Sequence, residues 1–231
     1  MSDAIVVSSD PVTLVGGGHA CVEELSEALT LAPVCVAVDG GAGLALQADV
    51  FIEALIGDLD SISPAQLSQI PPDRQFRINE QETTDFDKAL RLVDAPLMIA
   101  VGFTGGRIDH QLAAFHALAK AAHVPCILLA RNEIILLAPP EIAVPTQAGD
   151  VVSIVPLAPM TGTSTGLEWP IDGLALDPLT RIGTSNRATG PMTLTCDSPH
   201  GLLILPRRLI RQVAASLRAP DAAGWPPRLA Q

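Results

Sequence analysis

Four short apolar runs in the first half of this chain lead straight into glycine-rich or acidic turns. Val12–Val15 enters Gly16-Gly17-Gly18, and Val34–Val38 enters Asp39-Gly40-Gly41. Ala54–Ile56 enters Gly57-Asp58-Leu59-Asp60, and Leu97–Val101 enters Gly102-Phe103-Thr104-Gly105-Gly106. Apolar residues at consecutive rather than alternate positions suit strands covered on both faces. Gln75–Ile78 and Cys126–Ala130 read as further strands, with helical spacing in Thr84–Val93 and Asp109–Ala122. The alternation predicts a doubly wound α/β unit with a mostly parallel sheet. In such sheets ligands settle in the crevice beyond the C-terminal strand ends, where these turns fall.

The texture changes after about residue 138. Pro139, Pro140, Pro145, Pro156 and Pro159 break any long helix. Short strand-like runs follow at Val151–Val155, Met192–Thr195 and Leu202–Leu205, separated by turn residues. That pattern predicts a small antiparallel β-sandwich or barrel. A boundary is therefore expected near residue 140, giving domains 1–140 and 141–231. Pro220, Pro226 and Pro227 suggest that the second ends in a frayed tail.

Composition narrows the partners. With 48% hydrophobic residues and a mean hydropathy of +0.36, the 231-residue chain can bury a core, which excludes disorder. A net charge of -11 disfavours non-specific nucleic-acid binding. No apolar run reaches the roughly 18 residues of a membrane span, and no signal peptide is expected at the start. Cys21, Cys35 and Cys126 stand in apolar surroundings, unlike Cys196, and read as buried free thiols of a reducing compartment. A cytoplasmic location is expected.

The sharpest chemical signal is Gly57-Asp58-Leu59-Asp60-Ser61. In extended chain, carboxylates at i and i+2 share a face. Two like charges held together call for a cation or protons, and Mg²⁺ prefers carboxylate and phosphate oxygens. Glu82-Thr83-Thr84-Asp85-Phe86-Asp87-Lys88 opens a helix: a threonine N-cap and first-turn acids explain it structurally. In a functional reading Asp85 joins the metal site and Lys88 faces a phosphate. In Gly105-Gly106-Arg107-Ile108-Asp109-His110, Arg107 can fork onto phosphate and Asp109 can bind metal or hold Arg107. His110 fits capping or packing better than catalysis. Gly16–Gly18 and Asp39–Gly41 suit either tight turns or close approach to a ligand.

Gly162-Thr163-Ser164-Thr165-Gly166 matches the serine-nucleophile pattern, with Asp197 and His200 following in hydrolase order. That motif requires a strand before the serine and a helix after it, whereas Trp169-Pro170 follows here.

Taken in order, DGG, GDLDS, TDFDK and GGRIDH resemble the thiamine pyrophosphokinase (thiamine diphosphokinase) family, as do the later GLEWP, GTSN and GLLIL segments. The resemblance spans about residues 12–206. It departs at Gly43, where the family often has Asn, and at Gln81-Glu82, where Lys or Asp is usual. It implies Mg²⁺-dependent transfer of a pyrophosphoryl group from ATP to thiamine. The alternatives are a different hydroxymethyl heterocycle as acceptor, or a serine hydrolase using Ser164. It also implies a homodimer whose site joins the first domain of one subunit to the second domain of its partner. By resemblance Asp58, Asp60 and Asp85 are the metal and catalytic carboxylates, with Arg107 and Asp109 beside the phosphates. Asp39, Gly40, Gly41, Thr84, Lys88, Gly105 and Gly106 would line the nucleotide. Ser185 and Asn186 would lie near the thiamine, with Trp169 as an aromatic contact.

Overall fold

The computed structural model describes residues 4–80 and 82–227. It divides into two compact units: the described residues up to Ala117 with Leu128–Arg131, and Leu118–Ile127 with the residues from Asn132 on. Gln81, one of the two departures noted in the linker, and residues 228–231 of the tail lie outside the described residues.

The first unit is α/β. Its strands are β1 (Val6–Val7), β2 (Val12–Val15), β3 (Val34–Val38), β4 (Ala54–Gly57), β5 (Gln75–Arg77), β6 (Val93–Asp94) and β7 (Met98–Val101). Its helices are α1 (Val22–Leu31), α2 (Ala42–Gln47), α3 (Pro64–Leu67), α4 (Asp85–Leu92) and α5 (Ile108–Lys120), whose last turn crosses the division. The sheet order β7–β2–β3–β4–β5 is parallel at every pairing. A separate small ladder pairs β1 with β6. Every residue of β2, β4 and β7 is buried, as continuous apolarity requires of strands covered on both faces. The doubly wound α/β reading therefore holds, and all four glycine or acidic turns follow C-terminal strand ends.

Local signals set the helix starts. Thr84 caps α4 by accepting from the Asp87 N–H at 3.2 Å, while the Asp87 carboxylate accepts from the Thr84 N–H at 3.2 Å. This reciprocal pair satisfies donors that the first turn leaves open. Glu24 does the same at α1, accepting from the Cys21 N–H at 3.1 Å.

Strand β8 (Cys126–Leu129) lies where the chain division falls. The second unit carries β9 (Glu133–Leu137), β10 (Glu141–Val144), β11 (Val151–Pro156), β12 (Gly162–Leu167), β13 (Gly183–Cys196), β14 (Gly201–Pro206) and α6 (Ile210–Leu217). All strand pairings among β9–β14 are antiparallel. The early part of β13 joins β11, β14 and β9; its later part lies between β10 and β12. This is the antiparallel sandwich, built around one long strand that serves two ladders. The tail has an anchor within the unit: Trp225 Nε1 donates to the Ala138 carbonyl at 2.8 Å.

The cysteines differ from expectation. Cys21 is exposed at the start of α1, whereas Cys196 is buried with Cys35 and Cys126. Cys196 points inward at the end of β13, so strand alternation outweighs its polar sequence neighbours.

Candidate active site

The ends of β2, β3 and β7 come unusually close at the C-terminal edge of the parallel sheet, and glycine lets them do so. A Cβ on Gly16 would lie 2.7 Å from the Gly102 carbonyl oxygen, and one on Gly41 only 1.8 Å from that of Val15. The Gly16 N–H donates to the Val101 carbonyl and the Gly18 N–H to that of Gly102, both at 2.8 Å. The Phe103 ring stacks on Phe86 of α4 with centroids 4.2 Å apart, fixing the loop after β7. His19, which the sequence did not single out, sits against Gly105 and Gly106.

Asp39, Asp58 and Asp60 meet at this edge, each offering an oxygen within 4.8 Å of the others. The close pairing of Asp58 and Asp60 does not come from extended chain, as the sequence suggested. Leu59 between them is left-handed, with φ 63°, and the Asp60 N–H donates to Asp58 Oδ1 at 3.2 Å. A turn after β4 makes the pair. Asp39 is also left-handed, with φ 47°, a conformation that costs a non-glycine residue of order 1 kcal/mol. It packs where Gly57 has no side chain: a Cβ there would lie 3.0 Å from the Asp39 Cβ.

Asp39 Oδ1 is fully enclosed and is the one buried side-chain polar atom without a hydrogen-bond partner among the described residues. A buried carboxylate oxygen without a donor is costly. Oxygen-only donors and this orphaned atom fit a hard divalent cation of the Mg²⁺ type.

Asp85 lies outside that group of three. Its Oδ1 accepts from Lys88 Nζ at 2.9 Å, and Lys88 is only 2% exposed. Lys88 thus holds Asp85 and does not project into solvent. Thr84 spends its hydroxyl on the α4 cap. The Glu80 carboxylate, just before this segment, accepts from Arg91 and Thr83, each at 2.7 Å. Those bonds, Arg91's first, hold its pKa below the usual carboxylate value.

Arg107 forks onto Asp109, with Nε donating to Oδ1 at 3.1 Å and Nη2 to Oδ2 at 2.6 Å. The hydrogen bond from Arg107 holds Asp109 below its ordinary pKa. Both side chains are exposed, so the fork can reach an incoming anion.

In the second unit, Ser185 and Asn186 lie early in β13, Ser185 left-handed at φ 61°. Trp169 follows β12 and is 55% exposed. The serine-hydrolase trio does not assemble as a relay. Ser164 is buried within β12, with Oγ accepting from the Ile171 N–H at 3.0 Å. Asp197 accepts from Thr161 and Ser198, and His200 Nδ1 pairs with the Pro159 carbonyl.

A parallel α/β unit with three carboxylates gathered at its strand ends, followed in the chain by an antiparallel sandwich, defines a two-unit α/β protein. The chain belongs to the thiamin pyrophosphokinase family: residues 25–128 match the model of its catalytic domain and residues 140–200 that of its vitamin B1 binding domain. It is similar to Thiamine pyrophosphokinase 1 of Oryza sativa subsp. japonica, 27% identical over 153 residues, covering 58% of each chain. Thiamine pyrophosphokinase 3 of the same plant is 28% identical over 168 residues, with 63% of each covered. The match thus spans about three fifths of the length of these curated relatives.

Solved structures share the fold. Thiamin pyrophosphokinase from Candida albicans superposes with a TM-score of 0.72 at 17% identity, over 89% of this chain and 97% of that one. The Geobacillus thermodenitrificans protein gives 0.69 at 24% identity, over 84% and 96%. Among the described residues no helix is long and apolar enough to cross a membrane.

Proposed function

We propose that this chain is a cytoplasmic, Mg²⁺-dependent enzyme that transfers the β,γ-pyrophosphoryl group of ATP to the hydroxyl of thiamine. The observation that carries the reading is the meeting of Asp39, which has an enclosed, unpartnered carboxylate oxygen, with Asp58 and Asp60 at a glycine-lined strand edge, within the stretch that matches the catalytic-domain model. Mg²⁺ bound by Asp39, Asp58 and Asp60 would neutralise charge on the phosphate oxygens.

The chain's own groups do the rest. Gly40, Gly105 and Gly106 leave the backbone bare for close approach of the nucleotide, while Gly41 lets its turn pack against the Val15 carbonyl. Arg107 reaches phosphate oxygens, and Asp109 orients its guanidinium. Lys88 holds Asp85 in place at the start of α4, beside Thr84. Ser185 and Trp169 receive the thiamine, whose cationic ring suits an exposed indole, and Asn186 lies beside them, bonded to the Trp169 main chain. The thiamine oxygen bonds to the β-phosphorus as the bond from that phosphorus to the α,β-bridging oxygen breaks. AMP leaves, and the hydroxyl proton passes to a carboxylate of this edge. Catalysis is then mostly positioning and charge neutralisation. The protein works as a homodimer.

The test is direct. Incubated with ATP, Mg²⁺ and thiamine, the protein should form AMP and thiamine diphosphate in equal amounts, with no AMP when thiamine or Mg²⁺ is omitted. AMP production independent of thiamine would reject the acceptor, and ADP as product would reject the group transferred. Native mass spectrometry should show a dimer; a fully active monomer would reject the assembly.

A further inference from the structure

The pairing of β12 with β13 runs out just where Trp169 begins. Leu167 is opposite Ala188, and the Glu168 N–H still donates to the Arg187 carbonyl at 2.8 Å. The next rung would set Trp169 against Asn186. There a side chain replaces the backbone: the Trp169 N–H donates to Asn186 Oδ1 at 3.2 Å, and Asn186 Nδ2 donates to the Trp169 carbonyl at 2.6 Å. Asn186 Oδ1 also accepts from the Arg187 N–H at 2.8 Å. Meanwhile the Asn186 main chain pairs with Val152 on the other side of β13.

Asn186 is buried at 6% exposure, and Trp169 is the exposed partner. Both acceptor sites of Oδ1 are in use, so the carbonyl side of the amide has no capacity left for a ligand. Beyond Trp169, Pro170 fixes φ and Ser164 holds the Ile171 N–H. The indole is thus exposed while its own main chain is clamped at both polar groups. Such a clamp lowers the ordering cost of placing an aromatic face against a flat ligand.

We infer that Asn186 is a positioning residue, acting on the cationic heterocycle through Trp169 and not by contact with it. This rests on the reading that Trp169 meets thiamine. On that basis Trp169→Ala raises the thiamine KM roughly ten-fold, the loss expected of one cation–aromatic contact. Asn186→Ala raises the thiamine KM and leaves the KM for ATP unchanged, a split that general destabilisation would not produce.

The decisive variant is Trp169→Ala with Asn186→Ala. Its thiamine KM should match that of Trp169→Ala alone within about two-fold, because a residue acting through Trp169 has nothing left to act on. A multiplied effect would mean direct contact and overturn the proposal, as would Asn186→Ala with a wild-type KM. No thiamine turnover by the wild type would instead sink the proposed function. An unchanged KM in Trp169→Ala would sink the Trp169 contact and the positioning role with it. Should Asn186→Ala fold poorly, Asn186→Asp keeps the two accepted bonds but sets a carboxylate oxygen against the Trp169 carbonyl in place of the donated one. It should show the same coupling to Trp169→Ala. In a Trp225→Phe background the remaining indole is Trp169. Its fluorescence anisotropy should fall in Asn186→Ala; an unchanged anisotropy would overturn the clamp.

Discussion

Lys88 Nζ lies 2.9 Å from Asp85 Oδ1, and the lysine is almost entirely enclosed while the aspartate is 30% exposed. The charge that burial threatens is therefore the lysine's. Asp85→Asn should cost stability as well as activity, about 3 kcal/mol, because it strands a buried ammonium. Lys88→Met added to Asp85→Asn should recover most of that loss without restoring turnover. Urea unfolding of both variants is the check; an unchanged loss in the double variant would refute the coupling.

Asp39, Asp58 and Asp60 crowd negative charge where one oxygen has no donor. Asp39→Asn should lower turnover roughly 100-fold or more by weakening charge stabilisation. Yet the metal-free variant should be more stable than the metal-free wild type. Relief of about 1 kcal/mol would raise Tm by roughly 2–4 °C in a chain this size. Melts in chelator, then with added Mg²⁺, should show a wild-type gain that the variant lacks. A lower chelator melt for Asp39→Asn would contradict the repulsion argument.

Ser164 matters to the fold, not the reaction. Ser164→Ala removes the acceptor of the Ile171 N–H and should cost about 1–3 kcal/mol, the penalty of an unpaired buried donor. Pyrophosphoryl transfer should persist below the variant's melting range, read as kcat. Loss of a wild-type esterase activity in this variant would revive a nucleophilic serine.

Burial pushes the Cys35 and Cys196 thiols up to about 12, the latter with help from Asp197, and Cys126 rises by burial as well. Only thiolate reacts. At about pH 8 a disulfide reagent should label Cys21 alone in the native chain, and the other thiols only after unfolding. Peptide mapping would show any second fast site.

Asp109 is depressed by its hydrogen bond from Arg107. A carboxyl lowered by folding contributes stability above its unfolded pKa, near 3.9, and loses it as pH falls through the folded value. Around neutrality this exposed pair should therefore add no pH dependence. In Arg107→Ala the Asp109 titration should move up toward about 3.9, observable by carboxyl carbon NMR. A titration that stays put would show that Arg107 is not the cause.

The sequence located the parallel strands because complete burial leaves unbroken apolar runs such as Ala54–Ile56 and Met98–Val101. It missed β12 for the same physical reason in reverse. There the inward residue is Ser164 and its neighbours are exposed threonines, so no apolar alternation marks the strand. Asp58 and Asp60 were legible as a pair, but the Leu59 turn was not. Asp39 was visible only as a nucleotide-lining residue beside glycines. Its meeting with Asp58 and Asp60 joins the ends of β3 and β4 and needs a left-handed backbone that local propensity disfavours. In a functional reading of its motif Lys88 faces a phosphate, and lysines are rarely buried; the partner that permits its burial is three residues away on the same helix.

Gly183–Cys196 serves both ladders of the sandwich with one continuous strand. Neither ladder can peel away without disturbing rungs of the other. The amides of β10, β11, β12 and β13 should therefore exchange hydrogen with solvent as a single cooperative unit. Ser185 and Asn186 are carried inside that strand. Their slow exchange would mark a segment whose order is tied to opening of the whole sandwich rather than to the quick local breathing of a surface loop.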